Sequence, residues 1–480
     1  MRYLVPLSWL WLLSGVRSGR PDGTDTEQLR QTQQTCLTVC QKLSEAFYNT
    51  TFFPNAPQYN LEKEDYFSQQ QSELNPACFF LPNNKLQVAY AVQQISKSSC
   101  KFAVKSGGHA RAVESSNIAD GVTIILSRLK RVSVLPAEHI AQIGPGNRWH
   151  DVYVELEKVN LTVPGGRTGS AVLATGDIVN VNRTSNSDLY WALRGGGNNF
   201  AIITRFDILT FPHDHMWGGI RTYNISHTPF LIDAYVDFGQ NAPSDPGAYQ
   251  ITTLYNIRCK QFCTVDLYSV DPKPAPLLTH ALDPIPHDDD TTAVQRQSKI
   301  SWTDFVNQPD GYRQTYWTAT FYLNRNFAHF IAAEFNEMTK LIQGIKGLQA
   351  RCIMQILTAD MLAPRRRNGG NALGLHYDEP LILLNPVLRW EDAADDAEIM
   401  RWSAEFVDRL TNEAKASDLH VPWLYTNYAS ELQDVWSGYR FDDLQRLRDI
   451  SRKYDPEKVF QRLLPGGFKL GEMRVIEDEY

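Results

Sequence analysis

Four glycine clusters fall between residues 104 and 200. They are Val104-Lys105-Ser106-Gly107-Gly108-His109-Ala110, Gly144-Pro145-Gly146, Pro164-Gly165-Gly166-Arg167-Thr168-Gly169 and Arg194-Gly195-Gly196-Gly197-Asn198-Asn199-Phe200. Glycine lets backbone N–H groups approach a ligand closely and shape concavities for anions, which a pyrophosphate requires. Each cluster alone reads as a turn, but four so close together point to a nucleotide-type cofactor. None is a G-x-G-x-x-G opening a helix, and none is a P-loop, so a nicotinamide Rossmann site and an NTPase are disfavoured. His109, after two glycines, reads from its neighbours alone as a hydrogen-bonded loop histidine.

Seven cysteines stand at positions 36, 40, 78, 100, 259, 263 and 352. Cys36 and Cys40, like Cys259 and Cys263, have the spacing of half a zinc site, but no matching His/Cys pair follows. Structural disulfides are the better reading, and the odd count leaves at least one thiol free. His287-Asp288-Asp289-Asp290 has no spaced ligands beside it and reads as a solvated acidic turn, so no metal site is expected. Asn49, Asn160, Asn182 and Asn224 each open an N-x-Ser/Thr sequon and are candidate glycosylation sites.

A fold must hold these groups, and the composition allows a large one. Of 480 residues, 43% are apolar and 11% aromatic, ample for sizeable cores, while 21% charged is too few for disorder. Lys plus Arg number 47 against 54 Asp plus Glu, a formal charge of −7. With no long basic stretch, a nucleic-acid partner is disfavoured, and Arg365 to Arg367 reads as a solvated loop. Met1-Arg2, the apolar run Tyr3 to Leu13 and the small residues up to Ser18 fit a secretory signal peptide over residues 1–18. That run is too short to span a membrane and no later stretch qualifies, so no membrane partner is expected. In a secretory lumen the cysteines would meet an oxidising environment, where disulfides persist. The polar stretch Gly19 to Gln34 is expected to be disordered.

The patterning is that of an α+β fold. Leu86, Val88, Ala91, Val92 and Ile95 have helical spacing, with Asn83 or Asn84 available as N-cap. Phe102-Ala103-Val104 reads as a short buried strand ending at Ser106-Gly107-Gly108, and Val122 to Leu126, Val132 to Leu135 and Ile140 to Ile143 are further β-like runs. Clustered prolines make Asp271 to Pro286 a loop. Two amphipathic helices run through Phe327, Ile331, Phe335 and Ile342, and through Ile399, Trp402, Phe406 and Leu410. Strand-like runs at Trp317 to Leu323, Cys352 to Leu357 and Pro380 to Leu384 accompany them, as a sheet covered by helices on one face requires.

The glycine motifs, in their order, resemble a known family. SGGH at 106–109, GPGNRWHDVY at 144–153, PGGRTG at 164–169, SNSDLYWALRGGGNNFAIITRF at 185–206, GGNALGL at 369–375, YTNYA at 425–429 and YDPEKVFQRLLPGGFKL at 454–470 are similar to the fungal berberine-bridge-enzyme-like, FAD-linked oxidoreductases. These belong to the vanillyl-alcohol-oxidase superfamily with a PCMH-type flavin domain. The resemblance covers about Cys36 to Leu470.

It implies an FAD-binding PCMH-type domain over residues 74–213, a substrate domain over 214–424 and a segment, 425–475, returning to the flavin domain. His109 would be tethered to the 8α-methyl of FAD, and Ser106, Gly107, Gly108, Gly146, Gly165, Gly166 and Gly169 would cradle the cofactor. The second, cysteinyl bond of bicovalent relatives has no cysteine here, so a single tether is expected. Tyr425, Asn427 and Tyr428 would face flavin and substrate, Asn427 toward the cofactor, and either tyrosine could act as general base if a cation or the flavin lowers its pKa from about 10. Gln355 is a candidate for the substrate pocket. The resemblance also ties Cys100 to an N-terminal cysteine, Cys36 or Cys40. The implied protein is a secreted, monomeric oxidase of secondary metabolism. It would pass hydride from an alcohol or amine-type carbon of a small molecule to covalent flavin, which O2 reoxidises.

One departure stands out. After Ser170, relatives continue with a glycine-rich segment and an aromatic stretch, roughly one βαβ unit that is absent here. The expectation is an exposed break at Gly169-Ser170-Ala171, with too few residues for a strand–turn–strand before Ile178, an open cavity and weak or absent FAD binding. The rival reading of the chain is therefore an inactive or misannotated relative that has lost flavin binding. Smaller departures are Ala201 in place of a glycine and Ser430 in place of an aspartate.

Overall fold

The computed structural model describes residues 23–164, 170–258, 260–273, 277–306, 311–363 and 370–471. The signal-like residues 1–18, Gly165, Gly166, Gly169 and Cys259 lie outside them.

From Gly23 to Gln34, helix Gly23–Ala46 replaces the expected disorder, while residues 19–22 lie outside the described residues. Cys36, Val39, Cys40 and Leu43 repeat at helical spacing and are buried, and disulfides Cys36–Cys100 and Cys40–Cys78 staple this face to the neighbouring elements. With one end fixed, propagation through Glu, Gln, Leu and Arg adds one hydrogen bond per residue without a new nucleus. The polar composition, read without the staple, concealed the helix.

The stapled helix packs on a small sheet in which strands Cys78–Phe80, Val122–Ile125 and Phe102–Lys105 run parallel, with Thr51–Phe52 antiparallel at the edge. Helix Lys85–Ser98 is the crossover. Asn84 caps it by accepting from the amides of Leu86 and Gln87, and Ser99 ends it in the left-handed region at φ 57°. Val459, Phe460, Leu463 and Leu464 share this core with Phe102, and the Phe102 amide donates to the Leu463 carbonyl at 2.7 Å.

A second, antiparallel sheet has the order Val132–Leu135, Ile140–Ile143, Ile202–Leu209, Ser170–Val172, Ile178–Asn180. Here the expected break is overturned. Ser170, 2% exposed, opens a buried strand paired on one side to residues 202–205 and on the other to 178–180. The sequence reading started the sheet only at Ile178, whereas Leu173 to Asp177 form a tight turn in which the Leu173 amide donates to the Asp177 carbonyl at 2.9 Å and Gly176 takes φ +85°. An added Cβ at Gly176 would sit 2.4 Å from Gln93 Cγ, so glycine is required for space as well as backbone angle. The hairpin needs only the residues present.

Residues beyond 215 build one large antiparallel sheet whose central path runs Met216–Asn224, Lys260–Ser269, Ala248–Ile257, Gln349–Leu357, Leu381–Trp390, Ala319–Tyr322. Helices Thr228–Asn241, Arg325–Thr339 and Asp396–Ala416 contribute to the hydrophobic cluster on one of its faces. Along Gln349–Leu357 burial alternates residue by residue: Cys352, Met354 and Ile356 enter that cluster, so Arg351, Ile353 and Gln355 point to the opposite face. Leu381–Trp390 is buried throughout. Its Pro386 has no N–H to donate and falls where the partner changes from Arg313–Tyr316 to Ala319–Tyr322. The expected helices and the covered sheet are present, and the fold is α+β.

Candidate active site

Strand Phe102–Lys105 delivers the Ser106–His109 turn. Lys105, 2% exposed, pairs with Asp65 at 2.9 Å and lies 4.1 Å over the Tyr66 ring, so the strand end is fixed before the glycines begin. The Ser106 hydroxyl donates to the Pro145 carbonyl, joining the first glycine cluster to the second. The amides of Gly107 and Gly108 donate to no protein acceptor among the described residues, and Gly108 takes φ +77°. The Gly146 amide is already committed to the Leu129 carbonyl at 3.0 Å. A Cβ on Gly146 would lie 2.2 Å from the Leu126 carbonyl oxygen, so this glycine serves close backbone packing and lines the cavity without a free donor.

Two cavities meet at His109. The first, about 700 Å³, lies against Ser106–His109, Gly146, Lys130 and residues 148–151, where helix Trp149–Glu157 begins. Unpaired glycine amides, a helix N-terminus and the cations Lys130 and Arg148 make a site suited to a diphosphate. The second, about 650 Å³, is bounded by residues 109–115, Tyr316, the 425–429 turn and Gly466–Phe468. Each lies within the range of ligand cavities. The residues present therefore fit FAD.

The fourth glycine cluster closes the second cavity from behind. Asn198 and Asn199 donate to the carbonyls of Gly466 and Phe468 at 2.9 Å each, clasping 194–200 onto the C-terminal segment. Lys469 donates to Asn198 Oδ1 at 3.1 Å. Burial pulls its pKa down to about 7, opposed by the charge of Asp455.

The 425–429 turn is held by Arg111, whose guanidinium donates to the carbonyls of Asn427 at 2.8 Å and Ala429 at 3.0 Å and lies 4.1 Å from the Tyr316 ring centre. Burial brings its pKa down to about 10, which still leaves it charged at neutral pH. Tyr425 and Tyr428 meet edge to face at 4.9 Å. Asn427 donates to Tyr425 Oη at 2.8 Å, and Gln355 to Tyr428 Oη at 3.0 Å. Burial raises the pKa of both tyrosines. The Asn427 bond works against this at Tyr425, and the Gln355 bond and, more weakly, Arg111 work against it at Tyr428. Both hydroxyls are therefore protonated at neutral pH.

His109 stacks on Phe67 at 4.1 Å and 22°. The structure thus brings His109, Tyr425, Asn427 and Tyr428 around one cavity, with Gln355 joined to it only through its bond to Tyr428, and Ser106, Gly107, Gly108 and Gly146 around the other. Sequence reasoning missed Arg111, Tyr316 and Phe67. Arg111 follows His109 by two positions and was open to inspection, but Phe67 and Tyr316 reach the site through tertiary pairing with no local signal. Asn49, Asn160, Asn182 and Asn224 are all exposed. No group of three or more His, Cys, Asp or Glu side chains suited to a metal ion occurs among the described residues. Asp290 is instead paired with Arg221 at 2.9 Å.

A flavin-type site between a glycine-cradled domain and a helix-covered sheet defines an FAD-linked oxidoreductase, and comparison with known proteins agrees. Residues 76–180 match the model of an FAD binding domain. The chain is 32% identical to the FAD-dependent monooxygenase tpcD of Cochliobolus heterostrophus, covering 84% of this chain and 87% of that protein. It is 31% identical to the FAD-dependent monooxygenase prx3 of Penicillium roqueforti, covering 90% and 93%. Among solved structures, BBE-like 1 of Physcomitrella patens superposes with a TM-score of 0.71 at 17% identity, over 90% of this chain and all of that one. A xylooligosaccharide oxidase from Myceliophthora thermophila gives 0.69 at 17% identity, over 92% and all. The chain belongs to the family of these fungal FAD-dependent monooxygenases, FAD-linked oxidoreductases with an FAD binding domain, and shares its fold with the BBE-like and oligosaccharide oxidase structures. The alignment with tpcD spans 455 positions while covering 84% of 480 residues, so that relative carries stretches with no counterpart here.

Proposed function

We propose that this protein is a secreted oxidase holding one FAD covalently through His109 and oxidising an alcohol or amine-type carbon of a small molecule, with O2 as final acceptor. The observation that carries the reading is the place of His109 at the junction of two cavities, one glycine-cradled and one lined by Tyr425 and Tyr428. Bound FAD would supply hydride acceptance from the substrate carbon. The chain's residues would do the rest. Gly107 and Gly108 would donate to the diphosphate, with Gly165, Gly166 and Gly169 of the third cluster assigned the same task. Asn427 orients Tyr425. Tyr428 is the proposed base, because Gln355 on the large sheet fixes its oxygen. Once its pKa is lowered by the bound flavin or a neighbouring cation enough to leave it as the phenolate, it would take the proton from the substrate heteroatom as hydride leaves.

The proposed division of labour is a flavin domain over 74–213 completed by 425–475, with the substrate domain between. The secreted location rests on the signal-like residues 1–18 and two disulfides, and exposed sequon asparagines suit glycosylation. No helix among the described residues is long and apolar enough to cross a membrane. A monomer is the proposed state. The closed hairpin through Ser170 favours retained flavin binding over the inactive alternative. The test is purification of the secreted chain followed by acid precipitation: a yellow protein whose flavin stays in the pellet, and which forms peroxide with substrate, is expected. A colourless protein overturns the reading, and flavin released by acid removes the tether.

A further inference from the structure

We infer that Phe67 is the positioning residue for covalent attachment, the platform that fixes the His109 imidazole against the flavin; this rests on the tether reading above. His109 is exposed and follows Gly107 and Gly108, so the backbone around it imposes little on its side chain. Reaction at a bound ring demands a defined approach, since misplacement by about 1 Å costs on the order of a hundredfold in rate. Something must aim the imidazole. Its stacking partner is Phe67, at 4.1 Å and 22°, while Tyr316 meets its edge at 6.4 Å.

Phe67 is itself held from both domains. It lies in a loop yet is 6% exposed. Before it, Asp65 pairs with Lys105 at the base of the glycine turn. After it, the Ser68 hydroxyl donates to the Arg111 carbonyl at 3.0 Å, the Gln69 amide to the Tyr312 carbonyl at 2.9 Å, and Gln70 to the Gln314 carbonyl at 3.0 Å. The ring packs with Tyr316 and Val387 of the large sheet. The guanidinium of Arg389, 1% exposed, lies 5.5 Å from its centre. Among the described residues Arg389 has no carboxylate within ion-pair distance; its Nε donates to Gln314 Oε1 at 3.1 Å but its Nη1 has no hydrogen-bond partner, so the ring face supplies part of the compensation for the buried charge. A strap of chain is thus braced at both ends to present one aromatic face to one imidazole.

Attachment joins an imidazole nitrogen of His109 to the 8α carbon. The imidazole N–H hydrogen and one methyl hydrogen are lost, and dioxygen takes both with their two electrons and leaves as hydrogen peroxide. Phe67 takes no part in the bonds. It shortens the search for the reactive orientation.

The experiment compares wild type with Phe67→Tyr, Phe67→Leu and Phe67→Ala, reading total flavin from the native visible spectrum and covalent flavin after acid precipitation, over a time course with added FAD. Phe67→Tyr should attach flavin as wild type does. Phe67→Leu, which keeps the volume but not the stacked face, should bind a similar total while attaching it roughly tenfold more slowly or worse. Phe67→Leu attaching at the wild-type rate would overturn the inference, as would equal failure of Phe67→Tyr and Phe67→Leu. If Phe67→Ala does not fold, the leucine and tyrosine pair still decides. Acid-released flavin in wild type would sink the tether itself; covalent flavin in both wild type and Phe67→Leu would sink only the role of Phe67.

Discussion

Gln355 donates from Nε2 to the Tyr428 hydroxyl at 3.0 Å, a bond from the uncovered face of the large sheet to a turn 73 residues further along the chain. It fixes the tyrosine oxygen from the sheet side. Tyr428→Phe should therefore lower the rate of flavin reduction by about 10²- to 10⁴-fold, the usual worth of a general base, with flavin content unchanged. Gln355→Leu should cost less, and Tyr425→Phe less than Tyr428→Phe. Stopped-flow bleaching of the flavin band measures all three. Near-normal bleaching by Tyr428→Phe would assign the base elsewhere.

Arg111 makes two charged hydrogen bonds to backbone carbonyls of the turn that carries both tyrosines. Lysine keeps the charge but cannot reproduce the planar pair of donors. Arg111→Lys should lower stability by about 2 kcal/mol and slow flavin reduction together, because the turn loosens as a unit. A variant that melts like wild type yet reduces slowly would show that Arg111 acts on the chemistry rather than on the turn.

Cys36–Cys100 and Cys40–Cys78 close loops with sequence separations of 64 and 38. The chain-entropy estimate gives each about 4 kcal/mol. Cys36→Ser with Cys100→Ser, and Cys40→Ser with Cys78→Ser, should each lower the melting temperature strongly and to a similar extent, measured by circular dichroism without reductant. Peptide mapping that finds Cys78 as a free thiol would contradict the second bridge.

These bridges mark where the sequence was legible and where it was not. Spacing four apart puts Cys36 and Cys40 on one helix face, so either could reach Cys100; the choice rests on which neighbouring element lies opposite each turn, a tertiary fact. Helix Lys85–Ser98 was readable because its cap and apolar spacing are local, and so was the short strand before Ser106. His109, Gln355, Tyr425 and Tyr428 could be named from motif and strand pattern. Phe67 could not, since its contacts with Gln314 and Arg389 join segments more than two hundred residues apart in the chain. The helix at Gly23–Ala46 and the strand at Ser170–Val172 were misread for one reason. Both depend on partners that composition does not reveal.

Lys469 offers a test in pH. Its native pKa, about 7, lies below its ordinary 10.5 because burial disfavours the ammonium. Between those values the unfolded chain binds a proton that the native state releases, so this residue makes stability rise with pH from about 7 to 10. Lys469→Met should remove that slope. The variant should be more stable than wild type at pH 7, on the order of 2 kcal/mol for a side chain that is not wholly buried, and about equal near pH 10. Melting curves at both values suffice, and a gap independent of pH would show that the ammonium is not penalised.

The last expectation reverses what the missing segment first suggests. A family-like insert placed after Ser170 would seem to restore flavin contacts, yet Ser170 is the first residue of a buried strand. It pairs with Asn180, its hydroxyl lies 2.9 Å from that of Thr204, and Ala171 and Val172 continue into the core. An insert at that point separates Ser170 from Ala171, leaves the Thr204 hydroxyl without its partner and interrupts pairing on both sides of the strand. A buried polar group left unsatisfied costs about 1–3 kcal/mol, before any loss of ladder hydrogen bonds. The unmodified chain should therefore bind close to one FAD, read from the flavin-to-protein absorbance ratio, and the inserted variant should melt several degrees lower without gaining flavin. If only the inserted variant is yellow, the hairpin from Ser170 to Asn180 is not the native arrangement, and the segment absent from this chain is one the cofactor needs.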